Sequence, residues 1–309
     1  FFFAATGLMP CPLDLSQLPA HYAALGRVLE AHGFTWGPAC FVVLLAAVGW
    51  LLHSLSTGSA PKVEVIPTED EVAPVLEGKP KFSWETGRTR EYVPCWDPAT
   101  MDYLGQVPAM TPDQVKERIR IARAAQKEWA KSSFKQRRHV LRTMLRFIVE
   151  NTDTIAKVAC RDSGKTMVDA MFGEVMVTLE KLRWTIAKGE QHLRPEYRDS
   201  GLMNLHKTSR VEFVPVGVVG AIVPFNYPFH NVFNPLIAAL FSGNAIVIKV
   251  SEYASWSTGY YGRVISACLE AAGASPDLVQ IVTGYGDAGN ALITGGGVDK
   301  VIFVGSVKV

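Results

Sequence analysis

Neither sign of charge is in strong excess in this sequence. Its 309 residues include 31 Lys and Arg against 29 Asp and Glu, a formal net charge of +2 at pH 7. Partners such as nucleic acids select a clear basic excess, because the phosphate backbone is densely charged. The balance therefore argues against a nucleic-acid partner, and it gives no sign of an acidic substrate.

Cysteine is scarce and poorly spaced for metal or disulfide chemistry. The five residues, Cys11, Cys40, Cys95, Cys160 and Cys268, are odd in number, lie far apart and form no C-x-x-C pair. Zinc sites need closely spaced cysteine or histidine ligands, and disulfide frameworks use an even and dense set of cysteines, so we predict neither a metal site nor a disulfide scaffold. Cys160 and Cys268 fall in partly apolar helical contexts, where a thiol stays protonated, and we expect both to pack rather than react.

Charged residues are absent from positions 31–61. Inside that window the apolar run 39–52, extended to 34–55, reaches the ~20 residues that a bilayer-spanning helix needs. The uninterrupted run alone is shorter, which leaves a signal peptide as the alternative. We predict an N-terminal leader at 1–33 and a single transmembrane or signal-anchor helix at 34–55. We expect an endomembrane location with the following domain in the cytosol, although the sparse Lys and Arg residues leave the topology open.

Residues 56–94 are rich in proline, glycine and acidic side chains and show no sustained apolar period. Such a segment is typical of a linker. The folded region is therefore predicted to occupy 95–309. It opens with a well-marked helix start, because Thr111 and Gln114 form a capping box around Pro112.

After Arg210 short β-branched runs alternate with helical patterns. Strands that read as continuous apolar runs between helices are typical of a parallel sheet covered on both faces. The sequence therefore predicts an α/β fold with a Rossmann-like parallel sheet, preceded by helices. Ligands bind such sheets at the carboxyl ends of the strands.

The first candidate site follows the first of these strands, where residues 224–228 read Pro-Phe-Asn-Tyr-Pro. From the residues alone, Asn226 is an ordinary turn residue between two prolines. The segment nevertheless resembles the Pro-Trp-Asn-Phe-Pro signature of the aldehyde dehydrogenase superfamily. In that family the asparagine amide binds the oxyanion that forms when a cysteine thiolate attacks the aldehyde, and Asn226 matches it.

Three more segments resemble motifs of the same family, in the same order along the chain. They are Lys249-Val250-Ser251-Glu252, the glycine turn 284–286, and 303–306, which is similar to Phe-Thr-Gly-Ser. The resemblance implies that Lys249 and Glu252 hold the adenosine ribose of a dinucleotide. Because the Glu252 carboxylate would repel a 2′-phosphate, it favours NAD over NADP. The cofactor contacts that the resemblance implies are Ile222, Val223, Pro224, Phe225, Lys249, Ser251, Glu252, Gly286, Gly305 and Ser306.

The resemblance covers about residues 95–306 and is greatest to the membrane-anchored, plant-type members, which share stretches similar to 133–138 and 226–231. It also includes the turn 162–166 before a long helix. In the family, the nucleophilic cysteine and the glutamate that activates water lie C-terminal to the Gly-Ser motif, and this sequence has no counterpart of either. The last three residues also lack the glycine that the family shows in that helix, and we expect an N-terminal part of a longer enzyme.

The resemblance implies NAD-dependent oxidation of a small-molecule aldehyde to an acid, with this chain supplying the cofactor-binding part and no turnover of its own. The full-length enzyme could form a homo-oligomer. Two alternatives stay open: a non-catalytic NAD-binding or structural membrane protein, and an acyl-phosphate reductase of the same superfamily.

The charge-free window yields a direct prediction. The chain should partition with membranes and resist extraction by alkaline carbonate, and a variant without residues 1–60 should be released, because the apolar helix is the anchor. Extraction of the intact chain by carbonate would contradict a spanning helix. Cleavage near Ser59 would instead identify a signal peptide.

Overall fold

The computed structural model describes residues 60–83 and 91–306. The predicted leader at 1–33 and the predicted membrane helix at 34–55 lie outside these ranges. Within them, no helix is both long enough and apolar enough to cross a bilayer.

Residues 60–83 pack onto the folded region. Val63 joins the main core and Leu76 a smaller cluster, and the short helix α1 (Glu69–Val72) places Glu71 2.7 Å from Arg263. The interpretation of 56–94 as a linker is therefore wrong for residues 60–83. The sequence pattern missed this packing because the buried apolar residues here are single and follow no period.

An antiparallel hairpin and three helices follow. Strands β1 (Tyr92–Trp96) and β2 (Tyr103–Pro108) form the hairpin. Helix α2 (Pro112–Trp129) begins at the predicted capping box, since the Thr111 amide donates to Gln114 Oε1 at 2.8 Å and the Gln114 amide to Thr111 Oγ1. Helices α3 (Phe134–Glu150) and α4 (Thr152–Ser163) complete the set, and α4 ends at Gly164 with a left-handed φ of 70°.

The next helical stretch is interrupted by a π-helical segment. Helix α5 (Met167–Ala170) runs into the π segment (Met171–Met176), which continues as α6 (Val177–Lys188) and a 3₁₀ turn (Gly189–Leu193). A π segment adds a residue to a turn and shifts the side chains that follow it around the helix axis. An exposed antiparallel pair, β3 (Glu196–Arg198) and β4 (Ser209–Val211), precedes the main sheet, with a 3₁₀ turn (Leu202–Asn204) between its strands.

A parallel sheet with the strand order β7-β6-β5-β8 forms the centre of the C-terminal half. Strands β5 (Val218–Ile222) and β6 (Ala245–Lys249) are joined by α7 (Pro228–Phe241), and β6 leads to β7 (Val279–Val282) through α8 (Thr258–Ala271). Helix α9 (Gly286–Thr294) then crosses to β8 (Lys300–Phe303), on the other side of β5. The predicted parallel sheet is confirmed, and its strand order reverses beside β5, where open α/β sheets bind ligands.

Candidate active site at the carboxyl edge of the sheet

The register of the parallel strands brings the four predicted motifs to one edge. Ile222 pairs with Lys249 on one side and with Phe303 on the other, and Lys249 pairs with Val282. The turns that follow these residues carry Asn226, Glu252, Gly286 and Gly305. The sheet therefore gathers the predicted site residues at a single carboxyl edge, which spacing along the sequence could only suggest.

Asn226 lies on the exposed turn between β5 and α7. Its Oδ1 accepts a hydrogen bond from Asn231 Nδ2 at 3.1 Å, and the same Asn231 group donates to the Pro224 carbonyl at 3.0 Å. Because its oxygen is already engaged, the Asn226 amide presents its NH₂ group as the remaining hydrogen-bonding function. Within the described residues that group makes no hydrogen bond, so it is available to stabilise a negatively charged oxygen.

A second contact holds the backbone of the same turn. Lys165 Nζ donates to the Asn226 carbonyl at 2.7 Å and lies 4.0 Å from the centre of the Tyr227 ring. The ammonium is also 2.6 Å from Glu174 Oε1, and the Lys165 and Glu174 side chains are only 8% and 0% exposed. Lys165 therefore joins the turn to a buried carboxylate.

Glu174 supports the turn from the other side as well. Its Oε2 accepts the backbone N–H groups of Phe229 at 2.7 Å and His230 at 3.2 Å, in the first turn of α7. Helix α7 has no side-chain cap of its own, and a carboxylate at a helix N-terminus satisfies unpaired amides and the macrodipole. Burial raises the pKa of Glu174, although the Lys165 ammonium and the two amides oppose that shift.

The π segment makes this approach possible. It carries Gly173, where an added Cβ would lie 2.7 Å from Tyr227 Cε1. Only glycine lets the π segment and the turn come this close. The next residue along the π segment is Glu174, which reaches the start of α7 from the same turn.

Lys249 and Glu252 form the second part of the site. Lys249 Nζ lies 3.5 Å from Glu252 Oε2, and their side chains are 8% and 23% exposed. Burial lowers the pKa of Lys249, while Glu252 opposes that shift. At this distance the ammonium and the carboxylate do not use up each other's hydrogen-bonding capacity, so both can still bind the hydroxyls of a ribose. Ser251 has a local role, since its Oγ accepts the Tyr253 amide at 3.3 Å in the 3₁₀ turn Glu252–Ala254.

The glycine turn before α9 leaves space at the start of that helix. Gly284 has a φ of 131°, and a Cβ there would lie 3.2 Å from the Met110 amide, so this tight turn requires glycine. At Gly286, the first residue of α9, a Cβ would meet nothing within 4 Å, which leaves open space over the helix N-terminus for a ligand. Gly305 and Ser306 follow β8, and the Val304 amide donates to the Ile222 carbonyl at 3.0 Å.

The cysteines of the described region are not suited to nucleophilic attack. Burial raises the pKa of Cys95 and of Cys268 to about 12. The pKa of Cys160 is also raised, first by burial and then by the Glu174 carboxylate. Cys268 lies in the core, as expected from the sequence. Since the thiolate is the reactive form, none of these three thiols is activated.

Sequence reasoning missed the residues that support Asn226. Glu174 belongs to no motif that was singled out, Asn231 only ends the stretch 226–231, and Lys165 was noted only as part of a turn similar to the family. One signal was available: the start of α7 offers no Ser, Thr or Asp cap, so another part of the chain had to supply the acceptor.

Asp162, from the same turn as Lys165, is a second buried carboxylate. Its Oδ2 accepts a hydrogen bond from the Ser257 amide at 2.9 Å, and burial raises the pKa of Asp162 to about 6.

Comparisons with known proteins show the family that the four motifs resemble. The sequence model of the aldehyde dehydrogenase family matches residues 84–309. A putative aldehyde dehydrogenase-like protein of Schizosaccharomyces pombe is 43% identical over 212 residues, which cover 69% of this chain and 41% of that protein. Aldehyde dehydrogenase [NAD(P)+] 1 of Saccharomyces cerevisiae is 33% identical over 228 residues, covering 72% of this chain and 42% of the relative.

Solved structures show the same fold. An aldehyde dehydrogenase from Brucella melitensis biovar abortus superimposes with a TM-score of 0.65 at 26% identity, covering 70% of this chain and 44% of that one. The NAD+ complex of an aldehyde dehydrogenase from Bacillus cereus gives a TM-score of 0.64, also at 26% identity, covering 70% and 43%. The chain thus spans about two fifths of the length of the curated relatives described above.

The support of the Asn226 turn can be tested with Glu174→Gln. The variant should speed hydrogen exchange at the Phe229 and His230 amides by about tenfold or more, because a charged hydrogen bond contributes about 1.5–3 kcal/mol. It should also lower the free energy of unfolding, since it leaves the Lys165 ammonium buried without its partner. Hydrogen exchange resolved by NMR and chemical denaturation would measure the two effects.

Glu180→Gln is the matched control on the same helical stretch. Glu180 is 68% exposed and, within the described ranges, forms an ion pair with Arg183 alone, so its loss should change stability by less than about 0.5 kcal/mol. Equal exchange rates in the wild type and in Glu174→Gln would remove Glu174 as the support of the turn.

Proposed function

The chain belongs to the aldehyde dehydrogenase family, and from that membership we propose that it supplies the cofactor-binding and oxyanion-stabilising part of an enzyme that oxidises an aldehyde to a carboxylic acid with NAD. The observation that carries the proposal is the Asn226 amide, on a turn held by Asn231 and Lys165, at the same sheet edge as the Lys249–Glu252 pair. An amide donor and a candidate ribose site at one sheet edge suit hydride transfer from a bound aldehyde.

Asn226 would act on the carbonyl oxygen of the aldehyde. When a nucleophile adds to the carbonyl carbon, negative charge develops on that oxygen, and a donor already in place stabilises it without reorganisation. The contacts of Asn231 and Lys165 keep the NH₂ group in place before the substrate arrives. NAD, when bound, supplies the hydride acceptor.

The nucleophile is not among the cysteines of the described region. By family resemblance it is a thiolate on a different segment, as is the glutamate that activates water for hydrolysis of the thioester. The raised pKa values of Cys95, Cys160 and Cys268 support the rival proposal, a non-catalytic NAD-binding protein. An acyl-phosphate reductase is the other rival, and it would reduce rather than oxidise.

The choice of NAD rests on Glu252. A carboxylate at this edge accepts hydrogen bonds from a ribose 2′-hydroxyl and repels a 2′-phosphate. The relatives do not all share one cofactor: one from Saccharomyces cerevisiae is named for NAD(P)+ and one from Streptococcus equinus for NADP. For this chain we propose NAD.

The proposal also covers the cellular location of the enzyme and its assembly. The charge-free window 34–55 supports a membrane tether at an endomembrane, with the enzyme domain in the cytosol. Stretches 133–138 and 226–231 support a relation to the membrane-anchored, plant-type members, in which this chain corresponds to an N-terminal part. Self-association of the full-length enzyme is proposed from family membership alone, and gel filtration without a dimer or larger species would contradict it.

Turnover tests the proposed function. In the longest natural protein that carries this sequence, Asn226→Ala should lower kcat for NADH formation by about 10²- to 10³-fold, the usual effect of removing one oxyanion donor. NAD affinity should stay unchanged, because Asn226 faces the substrate. The exposed Asn290→Ala serves as the control. Absence of aldehyde-dependent NADH formation in the wild type would favour the non-catalytic alternative, and acyl-phosphate reduction in its place would favour the reductase.

Glu252→Gln tests the cofactor choice. The variant should weaken NAD binding and narrow the preference for NAD over NADP, by ~1–3 kcal/mol for the loss of a charged hydrogen bond. Titration calorimetry with each cofactor would measure both affinities, with Glu270→Gln on the surface of α8 as the control. An NAD to NADP ratio that does not change would exclude Glu252 from the site.

A further inference from the structure

The helix that follows Asn226 presents a partly open polar face. Tyr227, His230 and Asn234 are all half-buried. Spacings of three and four residues place them along one side of α7, in line with the turn that carries Asn226. A ligand whose carbonyl reached Asn226 could therefore extend along this face.

Helix α6 packs against α7 and completes the face. Lys181 Nζ donates a hydrogen bond to Asn234 Oδ1, and Thr178 Oγ1 lies 3.0 Å from His230 Nδ1. A side chain of α6 thus contacts α7 at each of two successive helical turns beyond Asn226. The result is a short row of polar groups that leads away from the oxyanion donor.

The charge of Lys181 is not balanced. Among the described residues, Lys181 makes no ion pair, whereas its neighbour Glu180 pairs with Arg183. Burial lowers the pKa of Lys181, and both burial and the nearby lysine lower the pKa of His230. A half-buried ammonium without a counter-charge is costly, and an anion placed beside it would offset that cost.

We propose that Lys181 and Asn234 form a subsite for an anionic group at the far end of the aldehyde, with His230 between this subsite and Asn226. The inference rests on the proposed function and names its substrate class: aldehydes that end in a carboxylate or a phosphate. Asn234 contributes its amide NH₂ group, because its oxygen is engaged by Lys181.

The helix geometry sets the length of such a substrate. Helix α7 begins at Pro228, so Asn234 lies six residues into the helix, roughly 9 Å along its axis, and an extended chain of about six carbons with an oxygen at each end is of comparable length. This length makes 6-oxohexanoate a suitable probe, with hexanal as its uncharged equivalent.

The test compares these two aldehydes, together with a phosphorylated aldehyde of equal length, in the longest natural protein that carries the sequence. We expect kcat/KM for 6-oxohexanoate to exceed that for hexanal at least tenfold. In Lys181→Met this ratio should fall about tenfold, whereas Lys181→Arg should keep most of it. Lys188→Met, an exposed lysine of the same helix, should leave the ratio unchanged. A higher kcat/KM for the phosphorylated aldehyde would also support the subsite and identify phosphate as its ligand.

A binding measurement shows whether Lys181 binds the ligand or only stabilises the packing of α6 against α7. Calorimetry with hexanedioate should give at least tenfold weaker binding in Lys181→Met, while NAD affinity and the unfolding midpoint report whether the variant is folded. Hexanal oxidation without preference for the charged aldehyde would overturn the subsite and leave the proposed function standing. A folded wild-type protein that binds NAD but oxidises none of these aldehydes would overturn both.

Discussion

A single buried carboxylate, that of Glu174, holds together the part of the structure on which the site depends. It receives the Lys165 ammonium at 2.6 Å and two amides at the start of α7, and it has no solvent exposure. A buried charge of this kind is tolerable only when it is fully paired. The turn carrying Asn226 is attached to Lys165 and to the start of α7, so the pairing that makes the buried charge tolerable also positions the turn that carries the Asn226 amide.

The parallel sheet provides the second constraint. Its register aligns Ile222, Lys249, Val282 and Phe303 at one edge, and each of the four turns beyond them carries a candidate group. The reversal of strand order beside β5 opens that edge between neighbouring turns. The candidate oxyanion donor and the candidate ribose pair therefore lie at the ends of adjacent strands, and backbone hydrogen bonds fix the separation of those strands.

The sequence was sufficient to predict the parts of this arrangement that depend on local patterns. Apolar runs predicted the parallel strands, the Thr111–Gln114 box predicted the start of α2, and four short motifs predicted Asn226, Lys249, Glu252 and the glycine turns. Contacts between distant segments could not be predicted: Glu174 reaches α7 across 55 residues of sequence, and it does so from a π segment that no periodicity indicated. The packing of Val63 was missed for the same reason, because a single apolar residue in a polar stretch carries no period.

The distribution of charge explains why composition could not reveal a preference for anionic substrates. A net charge of +2 sums over pairs that cancel internally, such as Lys165 with Glu174 and Arg263 with Glu71. A ligand interacts most strongly with the unpaired charge nearest to it. Solvent screens that charge poorly where the side chain is half-buried. Lys181 is such a charge, and it contacts α7 at Asn234, in the second turn of that helix. A nearly neutral protein can therefore select an anionic substrate, provided that an unpaired cation lies in line with the reacting group.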